Sequence, residues 1–271
     1  MSSSIRNYWV IDLFAGAGGF GLGFQMASNQ YKLSCSLEVD KWAAETLIAN
    51  NADNHKIIQG DIRDFNTKEK ILSITPVLPD IIIGGPPCQG FSVAGPPKDP
   101  KDPRNSLFRN YVEWVKILQP KIFVMENVRG LLTGRNESGE KVIDIITGAF
   151  RDIGYTVKVW ELNAANYGVP QSRERIFVVG SRLGIEIPCP PITHYLPEEK
   201  AKLNGSARDL KDAVTVIQAI GDLPQLRAGE GTETVDHEAT DLTEYQSQQR
   251  GTETKVYNHV TMSHTKRVVK R

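Results

Sequence analysis

Short apolar runs recur through about residue 180, each ended by glycine, proline or a small polar cluster. Residues 8–14 (YWVIDLF), 32–37, 55–59, 79–83, 120–126, 156–162 and 176–180 have the length and β-branched or aromatic content of buried strands. Between several of them the period changes to that of a helix. Leu107, Tyr111, Trp114, Val115 and Leu118 fall on one helical face within 106–118, and further helices are expected to about residue 28, over 41–51 and over 141–153. Strands alternating with helices predict an α/β fold, doubly wound around a mostly parallel sheet.

Glycines and carboxylates stand at the ends of these strands. Gly16, Gly18 and Gly21 form G-x-G-x-x-G between a strand and a helix, which suits a tight turn and close approach of a ligand to main-chain N–H groups. Taken alone, the pattern is also what a purely steric turn requires. Glu38 ends the second strand roughly 20 residues past the glycines, where a ribose diol is commonly gripped. Asp40 is the expected cap of the next helix. Asp61, after the third strand, is placed to accept from an exocyclic amine such as adenine N6, or to serve as an ordinary turn residue. These pieces indicate a cofactor containing adenosine.

The fourth strand runs into Gly84-Gly85-Pro86-Pro87-Cys88-Gln89-Gly90-Phe91-Ser92. The two glycines are expected to let the backbone leave the strand in conformations closed to other residues. The prolines stiffen the next residues into an elbow that presents the Cys88 thiol as a nucleophile. Residues 93–105, rich in proline and glycine and carrying Lys98, Lys101 and Arg104, read as a surface loop or as a lid over the thiol whose cations meet phosphates. Glu126 ends the next strand, so it is expected at the same sheet edge as Cys88. Arg173 and Arg175, two residues apart at a strand start, are expected on one face, suited to neighbouring anionic or carbonyl contacts.

Composition narrows the setting. Of 271 residues, 40% are hydrophobic and 24% charged, as in ordinary globular domains. Lys+Arg and Asp+Glu both number 32, so bulk charge does not announce a nucleic-acid partner, although a local basic face would suffice. Cys35, Cys88 and Cys189 are too far apart for a metal or disulfide framework, which points to a reducing cytoplasm. Beyond residue 190 apolar periodicity fades, apart from 213–223, and 229–253 is polar and acidic, so 191–271 reads as an irregular appended region or linker.

Together, and in this order, DLFAGAGGFGLGF (12–24), EVD (38–40), GDI (60–62), GGPPCQGFS (84–92), ENV (126–128) and QSRERIFVVG (171–180) resemble the DNA cytosine-5 methyltransferases dependent on S-adenosylmethionine, of the bacterial restriction-modification type. The resemblance implies a Rossmann-like catalytic domain over 1–190 and, over 191–271, a linker and the start of a target-recognition region that looks incomplete. It implies S-adenosyl-L-methionine as cofactor, with S-adenosyl-L-homocysteine as product. The cofactor would be held by Asp12, Phe14, Gly16, Gly18, Gly19, Glu38, Val39, Asp61, Ile62 and Pro87. It implies chemistry by Cys88, Glu126, Arg173 and Arg175 on a cytosine flipped out of duplex DNA, with Gln89, Ser92 and Arg104 on the DNA. A tRNA cytosine-5 methyltransferase of the same family is the alternative substrate reading, and a cofactor-binding but inactive fragment is another. The implied partners are double-stranded DNA, a cognate restriction endonuclease, and a missing C-terminal segment or second subunit. The isolated polypeptide is expected to bind cofactor and to methylate poorly; no membrane association is expected.

Overall fold

The computed structural model describes residues 6–51, 55–87, 107–136, 138–196 and 210–263. Cys88, Gln89, Ser92, Arg104 and the expected lid 93–105 lie outside the described residues. The chain divides into two compact units, residues 1–162 with 174–190, and residues 163–173 with 191–271.

In the first unit, strands β1 (Tyr8–Leu13), β2 (Tyr31–Glu38), β3 (Lys56–Gln59), β4 (Ile81–Gly84), β5 (Ile122–Val128), β6 (Thr156–Asn163) and β7 (Glu174–Ser181) form one sheet in the order β3-β2-β1-β4-β5-β7-β6. β1, β2, β3, β4 and β5 pair in parallel, and β7 runs antiparallel to β5. This is the doubly wound, mostly parallel arrangement that the alternating pattern predicts. Helices α1 (Gly19–Ala27), α2 (Lys41–Ala49), α3 (Lys68–Ile74), α4 (Leu107–Leu118) and α5 (Val142–Asp152) accompany it. The sequence reading has no helix at α3, although Thr67 caps it by accepting from the Lys70 N–H. Only Ile71 of that helix is fully buried, so its apolar stripe is too short to register as a period.

The two sheet faces bury different sets. On one, Ile11, Leu13, Ile82, Phe123, Met125, Ile176 and Val178 pack with the Trp114 and Tyr111 side chains of α4 and Phe150 of α5. On the other, Val10, Leu33, Ile81 and Ile83 pack with Phe20 and Phe24 of α1. Leu33 and Cys35 would share a face in a regular strand, yet they lie on opposite ones. The β1–β2 register advances from Val10↔Leu33 to Ile11↔Cys35, so Ser34 is an extra residue that reverses the alternation. The Ser34 hydroxyl donates to the Val10 carbonyl at 3.2 Å across this irregularity.

The described residues of the second unit hold short regular elements. Strands β8 (His194–Tyr195) and β9 (Lys211–Asp212) pair in parallel, and β10 (Gly231–Asp236) pairs antiparallel with β11 (Lys255–Val260). Helices Val216–Ile220 and Glu244–Arg250 each begin with a complete capping box, Thr215 with Gln218 and Thr243 with Gln246. Asp222 and Arg250 form a partly buried ion pair at 3.0 Å. Order here comes from caps and polar pairs more than from apolar periodicity, so the pattern along the chain does not reveal it.

Candidate active site

The C-terminal ends of five strands, β1 to β5, build the site in the first unit. After β1 the chain turns sharply. Phe14 takes a positive φ of 60°, Gly16 one of 56° and Gly18 one of 93°. A side chain is strained in that region, and at Gly18 a Cβ would also stand 2.5 Å from Leu47 Cδ1. Gly21 serves packing instead: a Cβ there would come within 2.9 Å of Leu33 and 3.1 Å of an Asp12 oxygen.

Two carboxylates brace this turn from below. Glu38, nearly buried, accepts the Gly16 N–H at 2.7 Å and the Asp40 N–H at 2.8 Å, joining the glycine turn to the start of α2. Asp40 caps α2 as expected, accepting from the Ala43 N–H at 2.8 Å. Asp12 is buried beneath α1 and accepts the Gly21 N–H at 3.1 Å, while its other oxygen has no hydrogen-bond partner. Burial, reinforced by the nearby Glu38 charge and partly offset by the Gly21 N–H, pushes the Asp12 carboxyl up to about 7.

A cavity of about 210 Å³ opens beside the turn. Of the ten residues expected around a cofactor, Phe14, Val39, Asp61, Ile62 and Pro87 line it. Asp12, Gly16, Gly18, Gly19 and Glu38 do not; they shape the adjoining turn. Leu37, Gly60, Arg63 and Leu107 complete the lining and were not singled out from the sequence. The walls are mostly apolar with one carboxylate, Asp61, at the edge, which suits a flat heteroaromatic ring bearing an amino group. The volume is below the roughly 300–1,000 Å³ of sites that enclose a whole drug-sized ligand, so it holds one ring system. Asp61 serves the turn that the sequence offered as one of its two readings, and it also faces the cavity that the other reading concerns. It lines the cavity, and it caps the 3₁₀ turn Ile62–Asp64 by accepting the Arg63 N–H at 2.9 Å. The Arg63 guanidinium also binds it, and that pairing holds the carboxyl below its usual range.

The elbow after β4 begins within the described residues. Gly84 and Gly85 are absent from the positive-φ residues, which corrects the conformational reason expected for them. Space is the reason. A Cβ on Gly84 would stand 2.3 Å from the Leu13 carbonyl oxygen, and one on Gly85 would stand 3.2 Å from a Glu126 carboxylate oxygen. The β4–β5 register, Gly84↔Met125, brings Glu126 level with the elbow. Asn127, buried on the opposite face, donates from Nδ2 to the Pro86 carbonyl at 2.9 Å and so anchors the first proline. Its part was missed in the sequence, although it stands next to Glu126 within the same three-residue motif.

Glu126 has an arginine partner. Glu126↔Phe177 and Val128↔Arg175 are register pairs, so Glu126 and Arg175 are diagonal neighbours on one face of the antiparallel pair. Arg175 Nε lies 2.8 Å from Glu126 Oε1, with both side chains mostly shielded. Arg175 Nη1 also donates to the Glu174 carbonyl at 2.8 Å, which fixes the fork. Glu126 does not cap the following turn; Val128 occupies that position. Arg173 precedes β7 and belongs to the second unit, where its N–H donates to Asn163 Oδ1 at 3.0 Å.

A larger cavity, about 350 Å³, lies in the second unit among Tyr167, His194, Lys211, Glu244 and Gln248. None of the candidate site residues lines it.

Comparison with known proteins decides the family. The family model for the C-5 cytosine-specific DNA methylase matches residues 8–270. The chain belongs to that family. Type II methyltransferase M.DdeI of Desulfomicrobium norvegicum is 44% identical over 266 residues, 97% of this chain and 59% of that protein. M1.HphI of Haemophilus parahaemolyticus is 42% identical over 84% of this chain and 56% of its own length. The chain thus spans somewhat more than half of these curated relatives. It covers 88% of a third, M.AquIA of Picosynechococcus, at 37% identity. Among solved structures, one described as a DNA modification methyltransferase encoded within an E. coli prophage superposes with a TM-score of 0.67 at 25% identity, covering 94% of this chain and 66% of that one. The Rossmann-like fold agrees with membership of that family.

Proposed function

We propose that this chain carries the catalytic machinery of a DNA (cytosine-5-)-methyltransferase that uses S-adenosyl-L-methionine on a cytosine flipped out of duplex DNA. The observation that carries the reading is the Glu126–Arg175 pair, held at 2.8 Å beside the Gly84-Gly85 elbow that leads to Cys88. A carboxyl held by an arginine next to a nucleophile's loop suits a ring that must be protonated as it is attacked.

The cavity fits the adenosine part of the cofactor. Val39 and Ile62 supply apolar walls for the purine, Asp61 an acceptor for its amine, and Glu38, at the strand end beside it, a carboxylate for the ribose. Glu38 already accepts two main-chain N–H groups, and each carboxylate oxygen keeps acceptor capacity for a hydroxyl. When bound, S-adenosyl-L-methionine supplies an electrophilic methyl group. The chain's own residues prepare the acceptor. The Cys88 thiolate adds to carbon 6 of cytosine, which makes carbon 5 nucleophilic. Glu126 donates a proton at nitrogen 3 and so spares the ring a negative charge. Arg175 orients that carboxyl and offers a donor to the base carbonyl. Loss of the carbon-5 proton to solvent and expulsion of the thiolate then restore the aromatic ring, and nitrogen 3 returns its proton to the Glu126 carboxylate. Gln89, Ser92 and Arg104 contact the DNA around the extruded base. Relatives named Type II methyltransferases favour DNA over tRNA as substrate and a cognate endonuclease as genetic partner. Their greater length favours action together with further polypeptide.

The test is covalent trapping on a duplex containing 5-fluorocytosine, with S-adenosyl-L-methionine and the C-terminal polypeptide of a full-length relative supplied. The wild-type chain is expected to form an adduct stable to denaturation and Cys88→Ser none. No adduct with the wild-type chain overturns the proposal.

A further inference from the structure

We propose that Arg63 is an internal competitor for the purine's acceptor, so that it sets the affinity of the cofactor pocket by occupying Asp61 until the cofactor displaces it. The inference rests on the reading of the 210 Å³ cavity as the purine pocket.

Arg63 is the cation among the four lining residues outside the expected cofactor set, and it is fastened to Asp61, the carboxylate among the lining residues. Its Nε lies 2.9 Å from Asp61 Oδ1 and 3.0 Å from Oδ2, and Nη2 reaches Oδ2 as well. The main-chain N–H of Arg63 takes a further place on Oδ1 at 2.9 Å. A carboxylate offers about four lone-pair positions over its two oxygens. A forked guanidinium and a main-chain N–H together use most of them, leaving little for an incoming amine. The 3₁₀ turn Ile62–Asp64 explains the arrangement. With Asp61 as its cap, residue 63 lies two residues beyond the carboxylate, and an arginine there reaches back to it.

The clasp can be opened. The Arg63 side chain is more than half exposed and that of Asp61 about a quarter, so the guanidinium loses little by moving into water. Exposed pairs of this kind contribute modestly and weaken with salt. A purine amine that replaces Arg63 therefore binds at a discount equal to the pair's own strength. The effect is a small brake on affinity that salt relieves.

The experiment is calorimetric titration with S-adenosyl-L-homocysteine, whose lack of a sulfonium charge removes direct repulsion by the arginine. Wild type, Arg63→Gln and Arg63→Lys are compared at low and at high salt, with thermal melting as a check on folding. Arg63→Gln is expected to bind about threefold to fivefold tighter than wild type at low salt, in keeping with an exposed pair. Arg63→Lys, with a single point contact in place of a fork, is expected between the two. The gap between Arg63→Gln and wild type is expected to narrow as salt rises. Equal or weaker binding by Arg63→Gln, or a gap that does not respond to salt, overturns the competitor role while leaving the purine pocket intact. Failure of all three proteins to bind removes the pocket reading itself, and this inference with it.

Discussion

Replacing Asp12 by asparagine should stabilise the first unit above neutral pH and do so much less in acid. The carboxyl sits 1% exposed beneath α1 and is pushed from an ordinary 3.8 to about 7, chiefly by burial. Because the folded value is raised, the folded state holds the proton more tightly than the unfolded chain. The stability contributed by this group is complete below about 3.8 and is lost as pH rises through about 7. At about 1.4 kcal/mol per pH unit, the whole loss is at most about 4 kcal/mol, of which about 3 kcal/mol falls between pH 5 and pH 8. Asparagine cannot ionise, and its carbonyl oxygen can keep the 3.1 Å bond from the Gly21 N–H. The expected result is that the stability difference, mutant minus wild type, is about 3 kcal/mol more favourable at pH 8 than at pH 5. The assay is native-state hydrogen exchange at the Val10 and Ile11 amides in a urea series at both pH values, which reports on β1 alone and avoids mixing the two units. A stability difference that is the same at pH 5 and pH 8 would refute the reasoning, because a merely steric effect of the amide has no reason to titrate.

Other outcomes concern the strand ends and the core beneath them. Glu126→Gln should slow adduct formation on 5-fluorocytosine DNA by about 10²- to 10⁴-fold, the usual range for a lost acid or base, with little change in S-adenosyl-L-homocysteine affinity measured by calorimetry, since Glu126 does not line the purine cavity. Gly84→Ala should destabilise by about 3 kcal/mol or more in urea unfolding, because its Cβ would meet the fixed Leu13 carbonyl oxygen at 2.3 Å. Tyr111→Phe should cost about 1–3 kcal/mol in the same assay: the buried hydroxyl donates to the carbonyls of both Ile82 and Val124, and no water can replace it in a closed core.

Much of the frame was legible from the chain because its signals are local. The Asp40 cap, the left-handed glycines at 16 and 18 and the helical face of α4 each depend on residues a few positions apart. The β-bulge at Ser34 was not legible, since the extra residue is defined only against β1. The caps of the second unit were present in the letters, Thr215 with Gln218 and Thr243 with Gln246; Val216–Ile220 falls within the apolar stretch 213–223 that the pattern picks out, whereas Glu244–Arg250 carries too little apolar periodicity to stand out from polar surroundings. The purpose of Gly84 and Gly85 was misread for a related reason. Whether a glycine is needed for its φ or for its small size depends on what lies across from it, here Leu13 and Glu126.

The alternation of strands and helices in the first unit, apart from α3, and the family could be read from the chain alone, and Glu126 and Asp61 could be named from it as candidates. These depend on short-range chemistry and on motifs taken in order. The partner of each group is set by the folded chain: Arg175 for Glu126, Arg63 for Asp61, the Gly16 and Asp40 amides for Glu38, and no polar partner for one oxygen of Asp12. Most of these pairings are made across neighbouring strands or turns, and a carboxylate's energy depends on the dielectric and the donors that surround it in space, which the order of residues along the chain does not specify.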